Sequence, residues 1–172
     1  MDPHPTPAWE NDPVALLNLS LLSIGAGRAR WASDHLFRPP LTDFDLLVGV
    51  RAVTTVVRAF LAPWSADPAG SLATAQEAVH LLLDVDEATL PPVTGVRSRQ
   101  PWLHLAEVSA ARAELLLGRW PAAVERLERL ATDETLGPLH RMNRAATHAR
   151  VLARCGWLDR ATDQADQAAG DA

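Results

Sequence analysis

The chain has no lysine and no tyrosine, one isoleucine (Ile24) and one cysteine (Cys155). Each shortage excludes something. Without lysine there is no amine for Schiff-base or P-loop chemistry, and all 16 cations are arginines, planar forks suited to carboxylate or phosphate. Lysine, tyrosine and isoleucine share AT-rich codons, so their scarcity reads as the mark of a GC-rich bacterial genome. One cysteine excludes an intramolecular disulfide framework. Its place on a helical pattern just before Gly156 makes it a small core residue rather than a nucleophile. No apolar run is long enough to cross a bilayer: Val14 to Ile24 is interrupted by Asn18, Ser20 and Ser23. Met1 to Pro13 carries four prolines and no cation, unlike the basic start of a signal peptide. A cytoplasmic protein without a membrane partner is expected.

The composition that remains is that of an ordinary globular domain, with 48% hydrophobic and 22% charged residues. A net charge of −5 argues against a basic nucleic-acid footprint, so no nucleic-acid partner is expected. Residues 1–12 form a proline-rich arm and 13–172 one domain.

Apolar spacing predicts helices throughout. The first runs from about Pro13 to Phe37, with a possible break at Gly25 and Gly27, and Pro39-Pro40 stops it. Thr42-x-x-Asp45 signals the N-cap of a second, which reaches Leu61 before Pro63. A third spans Leu72 to Val85. A long break from Asp86 to Gln100 has a small basic tip at Arg97 and Arg99. Pro101 opens a long helix to Leu117, Trp120-Pro121 a shorter one to about Thr132, and the last two run from Leu139 to Cys155 and from Trp157 to Ala169. No segment alternates as a strand, so the fold is expected to be all-α.

One pattern recurs: Gly70-Ser-Leu-Ala-Thr-Ala75, Gly118-Arg-Trp-Pro-Ala-Ala123 and Gly156-Trp-Leu-Asp-Arg-Ala161. A glycine at a turn can adopt the left-handed conformation and reverse the chain in few residues. The large residue two positions on (Leu72, Trp120, Leu158) is expected to wedge between helices. An alanine stripe (Ala145, Ala146, Ala149, Ala153, with Met142 and Leu152) is expected to let the last two helices approach closely, answered by Ala161, Ala165, Ala168 and Ala169.

The unit resembles the tetratricopeptide repeat, whose helix-turn-helix carries glycine, then an aromatic, then alanine at this spacing. Leu103 to Ala131 matches best, through Gly118, Trp120, Ala123 and Leu127. The last unit supplies Ala149, Gly156, Leu158, Ala161 and Ala165, and the one around Gly70 is degenerate. The units lie 48 and 38 residues apart, longer than the roughly 34 of the family. The resemblance implies stacked antiparallel hairpins in a short, irregular array covering roughly the last 100 residues. It also implies a concave groove. If Gly118 and Gly156 are equivalent, Arg112 and Arg150 are too, each six residues before its glycine and facing that groove. Arg154 and Asn143 take other groove positions, and Arg51 and Arg58 extend the same wall. In the family, such residues clamp peptide carboxylates.

Chemistry has less support. His104 and Glu107 share a helix face at a metal-motif spacing, but no second His-x-x-Glu exists, and the pair reads as a partly exposed imidazole beside a solvated carboxylate. His140 and His148 read as surface residues and His80–Asp84 as an intrahelical pair. There is no Gly-x-Ser-x-Gly elbow, and Gly25-Ala-Gly27 lacks the features of a phosphate loop. Six tryptophans (Trp9, Trp31, Trp64, Trp102, Trp120, Trp157) fall mostly near helix ends, as gap fillers or as anchors for a partner. The expectation is a non-catalytic adaptor, with neither metal nor cofactor, that binds an acidic or C-terminal peptide segment of another protein. A helical regulatory module of a bacterial transcription or signalling system remains open. So does a small helical enzyme or ligand carrier, which a deep pocket containing His104 and Glu107 would favour.

Overall fold

Asp12 caps the first described helix: its carboxylate accepts from the backbone N–H groups of Val14 (2.9 Å) and Ala15 (3.2 Å), and Pro13 occupies the first turn, where a missing N–H costs nothing. A computed structural model describes residues 11–38, 41, 47–62, 67–131 and 136–170. Among these lie eight α-helices: α1 (Pro13–Gly25), α2 (Ala29–Leu36), α3 (Val48–Leu61), α4 (Pro68–Asp84), α5 (Arg99–Leu116), α6 (Trp120–Leu130), α7 (Pro138–Arg154) and α8 (Leu158–Gly170). The described residues contain no strand, only an isolated bridge between Val93 and Val96 across the turn at Thr94-Gly95. The Pro39-Pro40 stop, the Thr42–Asp45 capping signal, Pro63, Trp9, Trp64 and nearly all of the proline-rich arm lie outside the described residues.

Each helix packs on the next in the chain, and α3, α5 and α7 also touch one another in series. Helix α5 is the centre. Trp102 and Ala106 join a large core with α1 to α4; Val108 and Ala111 join a second with α6 to α8; Ala110 and Ala113 join a small third with Ala59, Leu72 and Ala75. The long connection before α5 is tied down. Arg99 donates to the Val85 carbonyl (2.7 Å), its backbone N–H donates to Glu87 (2.6 Å), and the Thr94 N–H donates to Asn18 (2.7 Å). Arg99 is therefore an anchor, and no longer part of a free basic tip.

Three turns share one geometry. After α1, α5 and α7, the residues Gly27, Gly118 and Gly156 have φ of +76°, +73° and +79°. In each, the following N–H reaches back five residues, from Arg28 to Ser23 (2.7 Å), Arg119 to Glu114 (2.8 Å) and Trp157 to Leu152 (3.0 Å). This is the Schellman closure of a helix end. Gly70, read in the sequence as one of these turns, is not one. It sits in the first turn of α4, where the Asp67 carboxylate caps its N–H at 2.9 Å and fills the space a Cβ would need. The third equivalent turn is at Gly27, and α1 and α2 are separate helices.

The packing residue of the motif is its alanine. Five residues after each turn glycine, Ala32, Ala123 and Ala161 are buried. Of the expected wedges Leu72 is buried, at 6% exposed, but Trp120 is 38% and Leu158 65% exposed. A residue at the start of a helix points back over the preceding turn, towards solvent here. The alanine stripe of α7 is likewise only partly buried. Ala145 and Leu152 are interior, Ala153 is exposed, and the buried face continues through Arg144, Thr147, His148 and Val151. On α8 only Ala161 is buried.

Candidate functional site

Helices α5 and α7 run side by side in the same direction, which four contacts establish. The rings of His104 and His140 meet with centroids 5.7 Å apart. One turn from the middle of α5, the Arg112 guanidinium donates from Nε to Thr147 Oγ1 (3.2 Å) and from an Nη to the Asn143 side-chain oxygen. Arg112 also lies close enough to Arg150 to feel its charge. Leu115 and Leu116 share a recess with Arg154. As the number rises along α5 it rises along α7, with an offset near that between Gly118 and Gly156.

This register gathers four of the residues expected in the groove. Arg112, Asn143 and Arg150 form one cluster, and Arg154 follows Arg150 one turn on. Arg112 is half-buried, with Phe60 of α3 under its guanidinium at 5.2 Å. Burial pushes its pKa down to about 10, and the neighbouring Arg150 adds to the shift. Among the described residues no carboxylate bonds to Arg112, Arg150 or Arg154, and Arg150 and Arg154 are exposed. Arg112 uses Nε–H and one Nη–H, which leaves donors for a ligand.

Arg51 and Arg58 are occupied elsewhere. Arg51 pairs with Glu77 at 3.3 Å on the surface. Arg58 holds the C-terminal end of α2, donating to the Leu36 carbonyl (2.9 Å from Nε) and to that of Leu41 (3.1 Å), with Phe37 stacked at 5.2 Å. Its donors serve the fold.

The His104–Glu107 pair separates. His104 is 1% exposed and faces His140, whereas Glu107 turns to Arg126 of α6. The carboxylate is bound rather than solvated because Arg126 also chelates Glu114, at 2.8 and 3.1 Å, in the seam between α5 and α6. Both carboxylates hold the Arg126 pKa above its ordinary value, Glu114 most of all. The spacing of Glu107 and Glu114, seven apart on one face, was the available signal for this network. His140 is half-buried and His148 buried, so neither is a surface residue, and burial lowers both pKa values. His148 Nδ1 lies 3.3 Å from Gln164 of α8, and Arg144 beside it donates to Gln167 at 3.2 Å.

Comparison with protein-family models, with curated proteins and with solved structures gives no match. The functional reading therefore rests on these side chains alone. A cavity of about 690 Å³ lies between α2, the end of α3 and the start of α4, lined by residues such as Arg30, Asp34, Phe37 and Ser71. His104 and Glu107 do not line it. No group of three or more histidine, cysteine, aspartate or glutamate side chains is placed to hold a metal ion among the described residues, and no helix of theirs is long and apolar enough to cross a membrane.

Proposed function

We propose that the protein is a non-catalytic adaptor of tetratricopeptide-like architecture, which binds an acidic segment of another protein along α5 and α7. The observation that carries this is the Arg112–Arg150 pair. Two like charges lie within electrostatic range of each other, one of them half-buried, with no bonded carboxylate among the described residues. Keeping them so costs stability. An incoming carboxylate removes that cost and gains charge-assisted hydrogen bonds. Arg126 and Arg51, by contrast, already have carboxylate partners and are poor anchors. The shared Schellman turns after α5 and α7, the buried alanines and the contacts among α3, α5 and α7 support hairpins stacked in series.

The enzyme or carrier reading loses its specific support, because the cavity and the His104–Glu107 spacing lie apart. The test is binding to an array of acidic and neutral peptides at two salt concentrations, for the wild type and for Arg150→Glu. Arg150 is exposed, so the variant folds normally while its sign reversal adds repulsion. Acidic peptides should bind the wild type, weaken as salt rises, and be lost in the variant. Equal binding of acidic and neutral peptides, or by both proteins, rejects the reading.

A further inference from the structure

The parallel register of α5 and α7 fixes what lies beside the cation pair. Leu116 follows Arg112 by four residues, and Arg154 follows Arg150 by four, so each occupies the same helix face one turn further on. These two residues, with Leu115, Gly118 and Trp120, line a recess of about 310 Å³ at the turn between α5 and α6. Its apolar members are incompletely covered: Leu116 is 55% and Trp120 38% exposed, while Leu115 is half-buried against the core. Exposed tryptophan beside arginine is the composition of an interface hot spot rather than of an ordinary solvated surface.

Resting on the reading of Arg112 and Arg150 as a carboxylate site, we propose that the ligand also carries a bulky apolar side chain, two positions from its acidic residue, which seats against Trp120 and Leu116. The spacing follows from geometry. A four-residue step along a helix advances about 6 Å, and an extended peptide covers that distance in about two residues. Alternate side chains of an extended strand point to the same side, so an acid and an apolar residue with one residue between them address the cations and the recess together. Arg154, on the rim of the recess, favours further acidic groups next to the apolar residue and completes the charge complementarity. Leu116 and Trp120 thus set specificity, while the arginines set the requirement for an anion.

The test uses short amidated peptides of glycine and serine that carry one aspartate and one phenylalanine at every separation, in both orders, and the same peptides with asparagine in place of aspartate or with serine in place of phenylalanine. Their affinities are measured by fluorescence anisotropy for the wild type, Trp120→Ala and Arg150→Glu. The peptide with one intervening residue should bind tightest. Trp120→Ala should weaken it by about tenfold, abolish the preference for that separation, and leave the peptide bearing aspartate alone unchanged. Arg150→Glu should weaken every aspartate peptide. If aspartate dependence and Arg150 dependence hold but separation has no effect, or Trp120→Ala keeps the preference, the apolar subsite is wrong and the cation site stands. If asparagine peptides bind as well as aspartate peptides, or nothing binds, both are wrong.

Discussion

His104 on α5 meets His140 on α7 nearly edge to face, with 5.7 Å between ring centroids and 75° between planes. The contact requires both rings to tolerate a low-dielectric seam, and burial lowers the pKa of His140 accordingly. His148, two turns further along α7, is lowered too. Burial dominates there, Arg144 and Arg160 add to it, and Gln164 and Glu128 oppose it. Such groups bind protons more readily when unfolded. The stability they permit is complete above the unfolded histidine pKa of about 6.5 and is lost as pH falls from there through the lower folded values. Thermal melts should therefore show a midpoint that drops on acidification from neutral pH. His148→Gln should flatten that dependence; an unchanged slope would show that His148 protonates freely in place.

Removing Arg126 should be costly. Its guanidinium sits between Glu107 and Glu114, and the Glu114 residue is 5% exposed. Arg126→Met leaves a buried carboxylate without its cation, a loss of about 3–5 kcal/mol. Urea unfolding measures it. The double variant Arg126→Met, Glu114→Gln should recover part of the loss, because the more deeply buried carboxylate is then neutral and only the partly exposed Glu107 is left without its cation.

The glycine turns predict an inverted order of sensitivity. Trp120 is conspicuous in the sequence, yet its partial exposure limits the effect of Trp120→Ala on stability to about 1 kcal/mol. Ala123, three residues on, has no exposed surface. Ala123→Leu should cost about 1–3 kcal/mol through overpacking between α5 and α6. Denaturation midpoints of the two variants decide the order.

Gly118→Ala places a side chain at φ +73°, which should cost about 1–2 kcal/mol. Gly70→Ala should also destabilise, for a different reason: its Cβ would lie 2.2 Å from the Asp67 carboxylate oxygen. Crystallography or chemical shifts of the Asp67 cap distinguish displaced cap from strained turn.

Helical spacing made most of the architecture legible: the helices beginning at Pro13 and Pro138 and the break at Gly118 and Gly156 fall close to where the pattern puts them. Gly70 misled because glycine at the start of a helix and glycine just past its end look alike in a short pattern. What separates them is Asp67 three residues earlier, an N-cap signal. The register of Arg112 with Arg150 was legible because equal distances to equivalent turns place residues at equal heights on parallel helices. The engagement of Arg58 with the Leu36 and Leu41 carbonyls was not, since an arginine's partner among backbone groups leaves no mark in the sequence. The burial of His104 and His148 was hidden for a related reason: polar residues on an alanine-rich helix read as its outer face until the neighbouring helix is known.

Helix α8 buries a single residue, Ala161, and is held otherwise by polar contacts such as that of Gln167 with Arg144. Most of its amides are thus protected by helix hydrogen bonds alone, with little apolar surface to lose on opening. The chain should therefore not open as one unit. Deuterium should enter α8 first and α5, which joins all three cores, last. Opening α8 would bare the Arg144–His148 face of α7 while the α5–α7 seam stays shut, so the end of the molecule can exchange its cover without disturbing the cations beside it.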